Sequence, residues 1–277
     1  MTAPMPGPGS APGPDTTSAA DETALADALG RIATTPHLLV ALDFDGTLAP
    51  EVDHPLQARA LPEAHAAILR LIALPDTSVA LVSGRSLESL IEVAEAPDEV
   101  LLVGSHGVEY RVGGESEVVL TDDESALRHT LETILTETAA PHDTVRVEEK
   151  PAGFALHTRL ADEAVTEEVL AEARRRVAEE APAATERVGK NVLEFAVRSA
   201  SKGDAVVRLR EITGSTAVFF AGDDVTDEDG FAVLEESDFG LKSGGGDTAA
   251  AYRVAGPAEV AHLLEDLAEL RAHLGRS

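Results

Sequence analysis

The sequence predicts an α/β fold, in which a Rossmann-like parallel-sheet core with helices on both faces carries an inserted α+β cap domain. Two observations indicate the parallel sheet: strand-length runs that are apolar without alternation, and helical patterns between those runs. A third observation is a middle segment of alternating apolar and polar residues, which is typical of an antiparallel sheet. The chain has 277 residues, 44% of them hydrophobic, and is therefore long enough for both units.

The predicted core elements follow one another along residues 36–111 and 198–277. Residues 1–20, rich in Pro, Gly, Ser and Ala, are predicted to be a disordered tail, and ADETALADALGRIA after them is predicted to form an amphipathic helix. The core strands are predicted in the runs HLLVALDFDGT, SVALVSGRS, VLLVGSHG and TAVFFAGDD. PEAHAAILRLIAL, LESLIEVAEA and TDEDGFAVLEE have helical patterns. The strands should therefore pair in parallel, with helices packed on the two faces of the sheet.

Residues 112–197, the predicted cap, have a different pattern. The segments TVRVEEK, GFALHTRL and NVLEFAV alternate between apolar and polar residues, as half-buried antiparallel strands do. They flank two helical segments, DESALRHTLETILTETA and EAVTEEVLAEARRRVAEEA. Because the parallel-strand pattern resumes after residue 197, the cap is predicted to be an insertion into the core.

Composition excludes several classes of function. Lys and Arg number 22 against 50 Asp and Glu, and the net charge of −28 would repel nucleic acids and anionic membranes. The chain has no Cys, so disulfides, thiol nucleophiles and thiolate metal sites are impossible. No apolar run is long enough to span a bilayer, and the first basic residue is Arg31, which is unlike a signal peptide. We expect a cytoplasmic protein, monomeric, that acts on a small molecule.

Two acidic clusters follow predicted core strands. Asp43 and Asp45 end the first strand, and Asp223, Asp224 and Asp227 follow the last. Taken alone, a pair of Asp residues is more often a loop or helix cap. However, the carboxyl ends of parallel strands share one edge of the sheet, and two carboxylates there at about 4 Å repel by roughly 4 kcal/mol. A hard cation that accepts oxygen ligands, Mg²⁺, is therefore predicted to bind between the clusters.

Lysine is rare in this chain and marks a second feature. The four lysines are Lys150, Lys190, Lys202 and Lys242, against eighteen Arg. Lys202 opens a predicted helix after the cap, where a compact ammonium can meet the acidic clusters. Ser83 and Gly84, at a strand-to-helix junction, can hold an anion through hydroxyl and N–H groups, a role compatible with a simple helix cap. Carboxylates, a metal, a lysine and an anion-binding turn together indicate phosphoryl transfer to a carboxylate.

Four segments, DFDGTLAP, VSGRS, SKGDA and GDDVTDE, resemble in type and order the four motifs of the haloacid-dehalogenase-like phosphatases. Within that superfamily, GSHGVEY, VEEKPAGFALHTR, RVGKNVLEF and GDDVTDEDGF resemble the trehalose-6-phosphate phosphatases. The resemblance runs from about residue 36 to the C-terminus and includes a last strand and helix. Two positions depart from the family pattern: Phe195–Val197 stands where an Arg-Pro pair is frequent, and Thr158 replaces an aromatic residue.

The resemblance implies roles for the core residues. Asp43 would be the nucleophile and Asp45 the general acid and base. Mg²⁺ would be bound by Asp43, the Asp45 carbonyl and Asp223, with Asp224 and Asp227 in support. Ser83, Gly84 and Lys202 would hold the phosphate oxygens. Thr47 would either hydrogen-bond near Asp43 or stabilise its loop.

The same resemblance implies a set of substrate-facing residues. Arg85 and His106 face the substrate or, equally, serve in packing. The cap candidates are Glu149, Lys150, His157, Arg187, Lys190 and Glu194, of which Lys150, Lys190 and Glu194 match the family's sugar-binding positions best. Strand alternation places Glu148 and Lys150 on one face and Glu149 on the other, so they cannot all reach the sugar. The alternative is a solvated network of ion pairs on the surface of the cap.

Other functions remain open from the sequence. The chain could be another capped phosphatase, for sucrose phosphate or mannosyl-phosphoglycerate, or a phosphomannomutase of similar architecture. A receiver-like signalling domain also combines carboxylates, Mg²⁺ and a lysine, but it lacks such an insert. A catalytically silent sugar-binding homologue is disfavoured because every catalytic position is filled. Phosphate release from a panel of sugar phosphates would distinguish the enzymes.

Overall fold

The computed structural model describes residues 19–52, 54–118, 120–189, 191–197 and 201–274. Its helices are α1 (Ala19–Ala33), α2 (Pro62–Ile72), α3 (Leu87–Ala94), α4 (Asp122–Ala139), α5 (Glu163–Glu180), α6 (Lys202–Thr213), α7 (Glu228–Ala232) and α8 (Pro257–Leu274). Its strands are β1 (Leu38–Leu42), β2 (Thr77–Val82), β3 (Leu101–Gly104), β4 (Glu109–Val112), β5 (Glu115–Val118), β6 (Arg146–Lys150), β7 (Gly153–His157), β8 (Thr185–Gly189), β9 (Val192–Ala196), β10 (Ala217–Gly222), β11 (Phe239–Ser243) and β12 (Tyr252–Val254). The predicted disordered tail lies outside the described residues as far as residue 18, and its last two residues belong to α1.

An eight-stranded sheet, the core sheet, has the order β12-β11-β10-β1-β2-β3-β4-β5. The four predicted apolar strands β1, β2, β3 and β10 are parallel neighbours, and β11 and β12 continue the parallel arrangement. At the other edge, β4 and β5 pair antiparallel. Because β1 lies between β10 and β2, the loops that follow these three strands meet at one edge of the sheet.

Helices cover both faces of the core sheet, which confirms the predicted fold class. In β1, Leu38, Val40 and Leu42 pack in a cluster with residues of α1, α2, α3 and α8. Leu39 and Ala41 face the opposite way, in a cluster with α6 and α7. A strand buried on both faces has no polar side, which explains why its sequence is a continuous apolar run.

A second sheet, the cap sheet, is antiparallel with the order β6-β7-β9-β8. Helices α4 and α5 pack on one of its faces around a separate apolar cluster that includes Leu131, Phe154 and Leu193. The segments predicted as alternating strands form β6, β7 and β9. Strand β8 was not predicted, because all its residues are exposed and its sequence lacks apolar alternation.

The first sheet extends further along the chain than predicted. The sequence predicts that the cap starts at residue 112, whereas the β4–β5 hairpin continues the core sheet to Val118. Its turn uses Gly113 and Gly114, with φ of +58° and +84°, a conformation that glycine adopts readily. Because β5 is fully exposed, it has no apolar pattern to reveal it. The domain boundaries themselves stay a prediction.

Local sequence determines where the helices begin. Thr121 and Glu124 form a capping box at the start of α4, and Ser201 and Asp204 form another at α6. The second box makes Lys202 the first residue of α6, next to the edge of the sheet where β1 and β10 end. None of the described helices combines the length and apolar composition needed to cross a membrane.

Candidate active site

The two acidic loops meet at the edge of the core sheet, as predicted from strand order. Asp43 directly follows β1, and its N–H donates to the carbonyl of Ala221 in β10 at 2.9 Å. Gly46 in the same loop has φ of +73°, and a Cβ at this position would lie 1.9 Å from Oδ2 of Asp223. Only glycine therefore allows the two loops to approach this closely.

Lys202 joins the two loops through a buried ion-pair network. Its Nζ donates to Oδ1 of Asp43 and to Oδ1 of Asp227, both at 2.7 Å. The three side chains are at most 5% exposed. The other oxygen of Asp227 accepts the N–H groups of Asp223 at 3.1 Å and Asp224 at 3.0 Å. The ammonium thus holds the carboxylates of both loops in one place.

The acidic cluster can hold a metal ion. Among the described residues, Asp43, Asp223 and Asp227 each offer a carboxylate oxygen within 4.8 Å of the others. Of Asp224 and Asp227, which are both expected to support the metal, only Asp227 is part of this group. The reason is local: a 3-10 turn at Val225–Asp227 folds Asp227 back beneath the loop. A donor set made only of oxygens suits a hard divalent cation.

The electrostatics of the cluster call for additional positive charge. Burial raises the pKa of Asp43 to about 8, Lys202 opposes this shift, and Asp227 adds to it. Burial, with the charge of Asp227, raises the pKa of Asp223 to about 6. Burial lowers the pKa of Lys202, but Asp43 and Asp227 outweigh it and raise that pKa overall. The lysine alone therefore does not keep Asp43 ionised at neutral pH, whereas an added divalent cation would.

Asp45 is held by Arg85 in a bidentate ion pair. Nε and Nη2 of Arg85 donate to the two oxygens of Asp45, both at 2.6 Å. The guanidinium also lies 5.9 Å from the ring centroid of Phe44. Both Asp45 oxygens thus accept a charge-assisted hydrogen bond from the same guanidinium. Arg85 therefore has to move before either oxygen of Asp45 can contact another group.

The turn after β2 forms the side of the site opposite the acidic cluster. Ser83 is 2% exposed, and its Oγ accepts the N–H of Arg85 at 3.2 Å, which leaves the hydroxyl hydrogen free to donate. A Cβ on Gly84 would lie 2.5 Å from Cε1 of His106, so the turn packs against that imidazole. Thr47 donates from Oγ1 to Oδ2 of Asp43 at 3.3 Å, a hydrogen bond that is consistent with either of its two predicted roles.

His106 sits in a second turn, after β3, that the sequence did not explain. Ser105 and His106 adopt φ of +48° and +56°. Glu109 accepts the Ser105 hydroxyl at 2.6 Å and the N–H of Leu87 at 3.0 Å, so it ties this turn to the start of α3. Burial lowers the pKa of His106, and the charges of Lys202 and Arg187 lower it further. His106 is therefore a neutral hydrogen-bonding group at neutral pH.

Two adjoining cavities connect this site to the cap sheet. A cleft of about 920 Å³ is lined by Asp43, Asp45, Ser83, Arg85, Lys202, Asp223 and Asp224, among others. A cavity of about 420 Å³ is lined by Val108, Thr185, Arg187, Glu194 and Ala196, among others. Gly84, Ser86, His106 and Lys150 line both. The face of the cap sheet without helices thus looks toward the acidic cluster across a continuous polar space.

The cap side chains on this open face form a hydrogen-bonded group. Glu148 accepts from Nζ of Lys150 at 2.6 Å and bonds to Nε2 of His157 at 2.7 Å. The hydrogen bond from Lys150 is the largest cause of the lowered pKa of Glu148. Arg187 and Glu194 are register partners on the same face. Glu148 was not among the predicted site residues, although its alternation with Lys150 was the available signal.

Two of the predicted sugar contacts line neither cavity, and a third is not among the described residues. Glu149 points to the helix side of the cap sheet, where Arg128 of α4 donates to its Oε1 at 2.6 Å. The structure therefore places Glu149 away from the cleft, because alternate residues of β6 face opposite ways. His157 reaches Glu148 but does not line either cavity. Lys190 lies outside the described residues.

Replacing Lys202 by alanine tests the buried network. We expect Lys202→Ala to lower kcat by about 100-fold or more, since it removes a charged donor from Asp43, the predicted nucleophile. Steady-state phosphate release gives kcat, and circular dichroism melting verifies that the variant folds. A folded variant that loses less than about tenfold would show that Lys202 serves only to hold the loops together.

Comparisons with known proteins agree with the motifs and with this geometry. The trehalose-phosphatase family model matches residues 41–256. The trehalose-6-phosphate phosphatase of Escherichia coli (strain K12) is 35% identical over 229 residues, which cover 80% of this chain and 84% of that protein. The structure of Aspergillus fumigatus trehalose-6-phosphate phosphatase, crystal form 3, has a TM-score of 0.66 at 24% identity and covers 88% of this chain and 97% of its own. The chain therefore belongs to the trehalose-phosphatase family.

Proposed function

We propose that this chain hydrolyses trehalose 6-phosphate to trehalose and inorganic phosphate, with Mg²⁺ as cofactor. The observation that carries the proposal is the buried network of Asp43, Lys202 and Asp227 at the end of a cleft whose opposite wall is the polar face of the cap sheet. In such a site, the acidic cluster can bind a phosphate and a metal ion, and the polar face of the cap sheet can bind the hydroxyl groups of a sugar. Membership of the trehalose-phosphatase family supports the disaccharide as the group that fills the cap side.

In the first step, a carboxylate oxygen of Asp43 attacks phosphorus, and the bond from phosphorus to the sugar oxygen breaks. Once Arg85 has released it, Asp45 takes up a proton from solvent and gives that proton to the sugar oxygen, so trehalose leaves as a neutral alcohol and Asp43 carries the phosphoryl group. Since Arg85 occupies both oxygens of Asp45, substrate binding has to displace this arginine before Asp45 can act as an acid. The freed guanidinium then faces the cleft that the substrate fills.

In the second step, Asp45, now a carboxylate, takes a proton from water as that water attacks phosphorus. The bond from phosphorus to Asp43 breaks, and inorganic phosphate is released. Ser83, the N–H groups of its turn and Lys202 hold the phosphoryl oxygens through both steps. Bound between the two acidic loops, Mg²⁺ would neutralise the phosphoryl charge and keep Asp43 ionised. Asp43, Asp223 and Asp227 would hold it, with the Asp45 carbonyl and Asp224 beside them.

The two departures from the family pattern lie in different surroundings. Thr158 is 2% exposed, and its Oγ1 is buried without a hydrogen-bond partner, so it belongs to the interior of the cap rather than to the cleft. Ala196, which belongs to the segment that departs from the family's Arg-Pro pair, lines the cavity between core and cap. Arg187 and Glu194 line the same cavity as Ala196, so the substrate preference of this chain depends on how these two side chains bind the sugar.

Phosphate release from a panel of sugar phosphates tests the proposal. Trehalose 6-phosphate, sucrose 6-phosphate, mannosyl-phosphoglycerate and glucose 6-phosphate are each incubated with the chain, with EDTA and then with excess Mg²⁺. We expect the highest kcat/KM for trehalose 6-phosphate, no release in EDTA and recovery with Mg²⁺. The Asp43→Asn variant, purified in the same way, excludes a contaminating phosphatase. A preference for another sugar phosphate, or full activity in EDTA, would contradict the proposal.

Glu194 tests whether the cap recognises the sugar. We expect Glu194→Ala to lower kcat/KM for trehalose 6-phosphate at least about fivefold, because lost hydrogen bonds leave buried polar groups unpaired. Turnover of p-nitrophenyl phosphate, which needs only the core, should change less than about twofold. Glu149→Ala is the matched control: it removes the same charge from the other face of the cap sheet and should leave both substrates unaffected. Equal losses on both substrates would point instead to a defect in folding or cap closure.

A further inference from the structure

Strand β11 ends in two buried polar residues that the proposed mechanism does not use. Lys242, one of the four lysines of the chain, is 3% exposed, and its neighbour Ser243 is 1% exposed. Nζ of Lys242 donates to the backbone carbonyl of Asp224 at 3.3 Å and to Oε1 of Glu228 at 3.3 Å. Lys242 therefore contacts the acidic loop after β10 from the side of β11.

Ser243 makes the corresponding contact with the other acidic loop. Its Oγ donates to the backbone carbonyl of Gly46 at 2.7 Å. Gly46 belongs to the loop that begins at Asp43, and it is the residue whose missing Cβ makes room for Asp223. Lys242 and Ser243 are consecutive residues of β11, and each donates to a backbone carbonyl of a different loop. Together they therefore hold the two loops that form the acidic cluster.

The contact from Lys242 acts on a peptide segment that is held on both sides. The N–H of Asp224 donates to Asp227 at 3.0 Å, and its carbonyl accepts from Lys242. Glu228, the charge partner of Lys242, is itself fixed by the N–H of Ala249 at 2.8 Å. The loop that carries Asp223 and Asp227 is therefore supported by a chain of contacts that ends outside the cleft.

Such support matters for a metal site because ligand positions must be held closely, and partners behind the ligands commonly change metal affinity 10- to 100-fold. We propose that Lys242 and Ser243 are positioning residues that set the geometry of the acidic cluster for a divalent cation and thereby set its affinity. They do not contact the sugar side of the cleft. This inference rests on the proposed Mg²⁺-dependent hydrolysis.

A part-buried ion pair at the opposite end of the core sheet supplies a matched control. Arg210 of α6 pairs with Asp238, whose other oxygen accepts the N–H of Val218 at 2.8 Å, near the start of β10. Loss of Arg210 leaves the buried carboxylate of Asp238 without its cation, which should destabilise the fold. This defect lies at the end of β10 opposite to the acidic cluster, so it should not change the metal site directly.

The experiment measures Mg²⁺ binding to the full chain without substrate, by titration calorimetry, in the wild type, Lys242→Met, Ser243→Ala and Arg210→Met. We expect the Mg²⁺ dissociation constant to rise about tenfold in Lys242→Met and about threefold in Ser243→Ala. Arg210→Met should melt at a lower temperature but bind Mg²⁺ within about twofold of wild type. At saturating Mg²⁺, KM for trehalose 6-phosphate should stay within about twofold in both β11 variants, since neither residue touches sugar.

Several outcomes would overturn the inference. If folded Lys242→Met binds Mg²⁺ as the wild type does, or if Arg210→Met weakens binding equally, the two residues serve stability alone. If Lys242→Met does not fold, Ser243→Ala decides, since its unchanged dissociation constant would exclude the positioning role. A wild-type chain that neither binds Mg²⁺ nor releases phosphate would instead contradict the proposed function, and the inference with it.

Discussion

Asp43→Asn is expected to lower kcat by about 1,000-fold or more, as removal of a nucleophile does in other covalent mechanisms. The amide nitrogen and carbonyl oxygen are poor nucleophiles, and the variant also removes one of three metal-facing carboxylates. Phosphate release at saturating Mg²⁺ and substrate measures the effect. Residual activity above about 1% of wild type would refute the assignment of Asp43 as nucleophile.

The fold of this variant should survive, which separates a chemical effect from unfolding. Burial raises the pKa of Asp43 to about 8, so the carboxylate strains the metal-free protein rather than stabilising it. In EDTA the melting temperature of Asp43→Asn should therefore equal or exceed that of the wild type. Lys202 can still donate to the amide oxygen, and the Thr47 hydroxyl, which can accept as well as donate, can pair with the amide NH₂, which keeps the loop in place. A melting temperature clearly below wild type would leave unfolding as the cause of any lost activity.

The second large effect is a dependence of Mg²⁺ affinity on pH. The metal-free pKa values of about 8 for Asp43 and about 6 for Asp223 mean that both groups carry protons in acid. Mg²⁺ binding has to release these protons. Between about pH 8.5 and about pH 5.5, the apparent affinity should fall by a factor on the order of 10³. The fall should be about tenfold per pH unit between 6 and 8, and steeper below 6.

The sign of the stability change follows from the same shifts. Both pKa values lie above the ordinary value of 3.8, so proton binding favours the folded, metal-free protein. This contribution is fully present below pH 3.8 and is lost as the pH rises through about 6 and then about 8. Mg²⁺ should therefore raise the melting temperature far more at about pH 8.5 than at about pH 5.5.

Calorimetric titration with Mg²⁺ over this pH range, in buffers of different ionisation enthalpy, gives both the affinity and the number of protons released. Asp43→Asn is the control. Its Mg²⁺ affinity should no longer depend on pH between 6 and 8, but should still fall near pH 6, where Asp223 takes up its proton. An affinity that stays constant from pH 5.5 to 8.5 in the wild type would contradict the assignment of these carboxylates as metal ligands.

Much of the fold could be predicted because burial on two faces leaves a strong sequence pattern. Strands β1, β2, β3 and β10 are continuous apolar runs, and the alternation in β6, β7 and β9 reflects one covered face. Strands β5 and β8 are exposed and polar, so no burial pattern marks them. Strand β11 is short and interrupted by Gly240 and Lys242, which hides it although every residue in it is buried.

The candidate site divides in the same way. Motif order and strand position were sufficient to single out Asp43, Asp223, Ser83 and Lys202, because the topology of a parallel sheet brings the ends of its central strands together. Which face of β6 meets the cleft, and therefore that Lys150 rather than Glu149 lines it, depended on where α4 and α5 pack. Alternation alone separates two faces but does not say which one is covered.

What the sequence by itself determined is the chemistry available: carboxylates and a lysine at the ends of buried strands, an inserted cap, and membership of a phosphatase family. Only the tertiary structure decided the pairings. The bidentate bond between Asp45 and Arg85, the turn that brings Asp227 rather than Asp224 toward Asp43, and the carbonyl contacts of Lys242 and Ser243 join residues far apart in the chain. Such contacts depend on the distances between packed elements, and those distances leave no periodic signal in a single sequence.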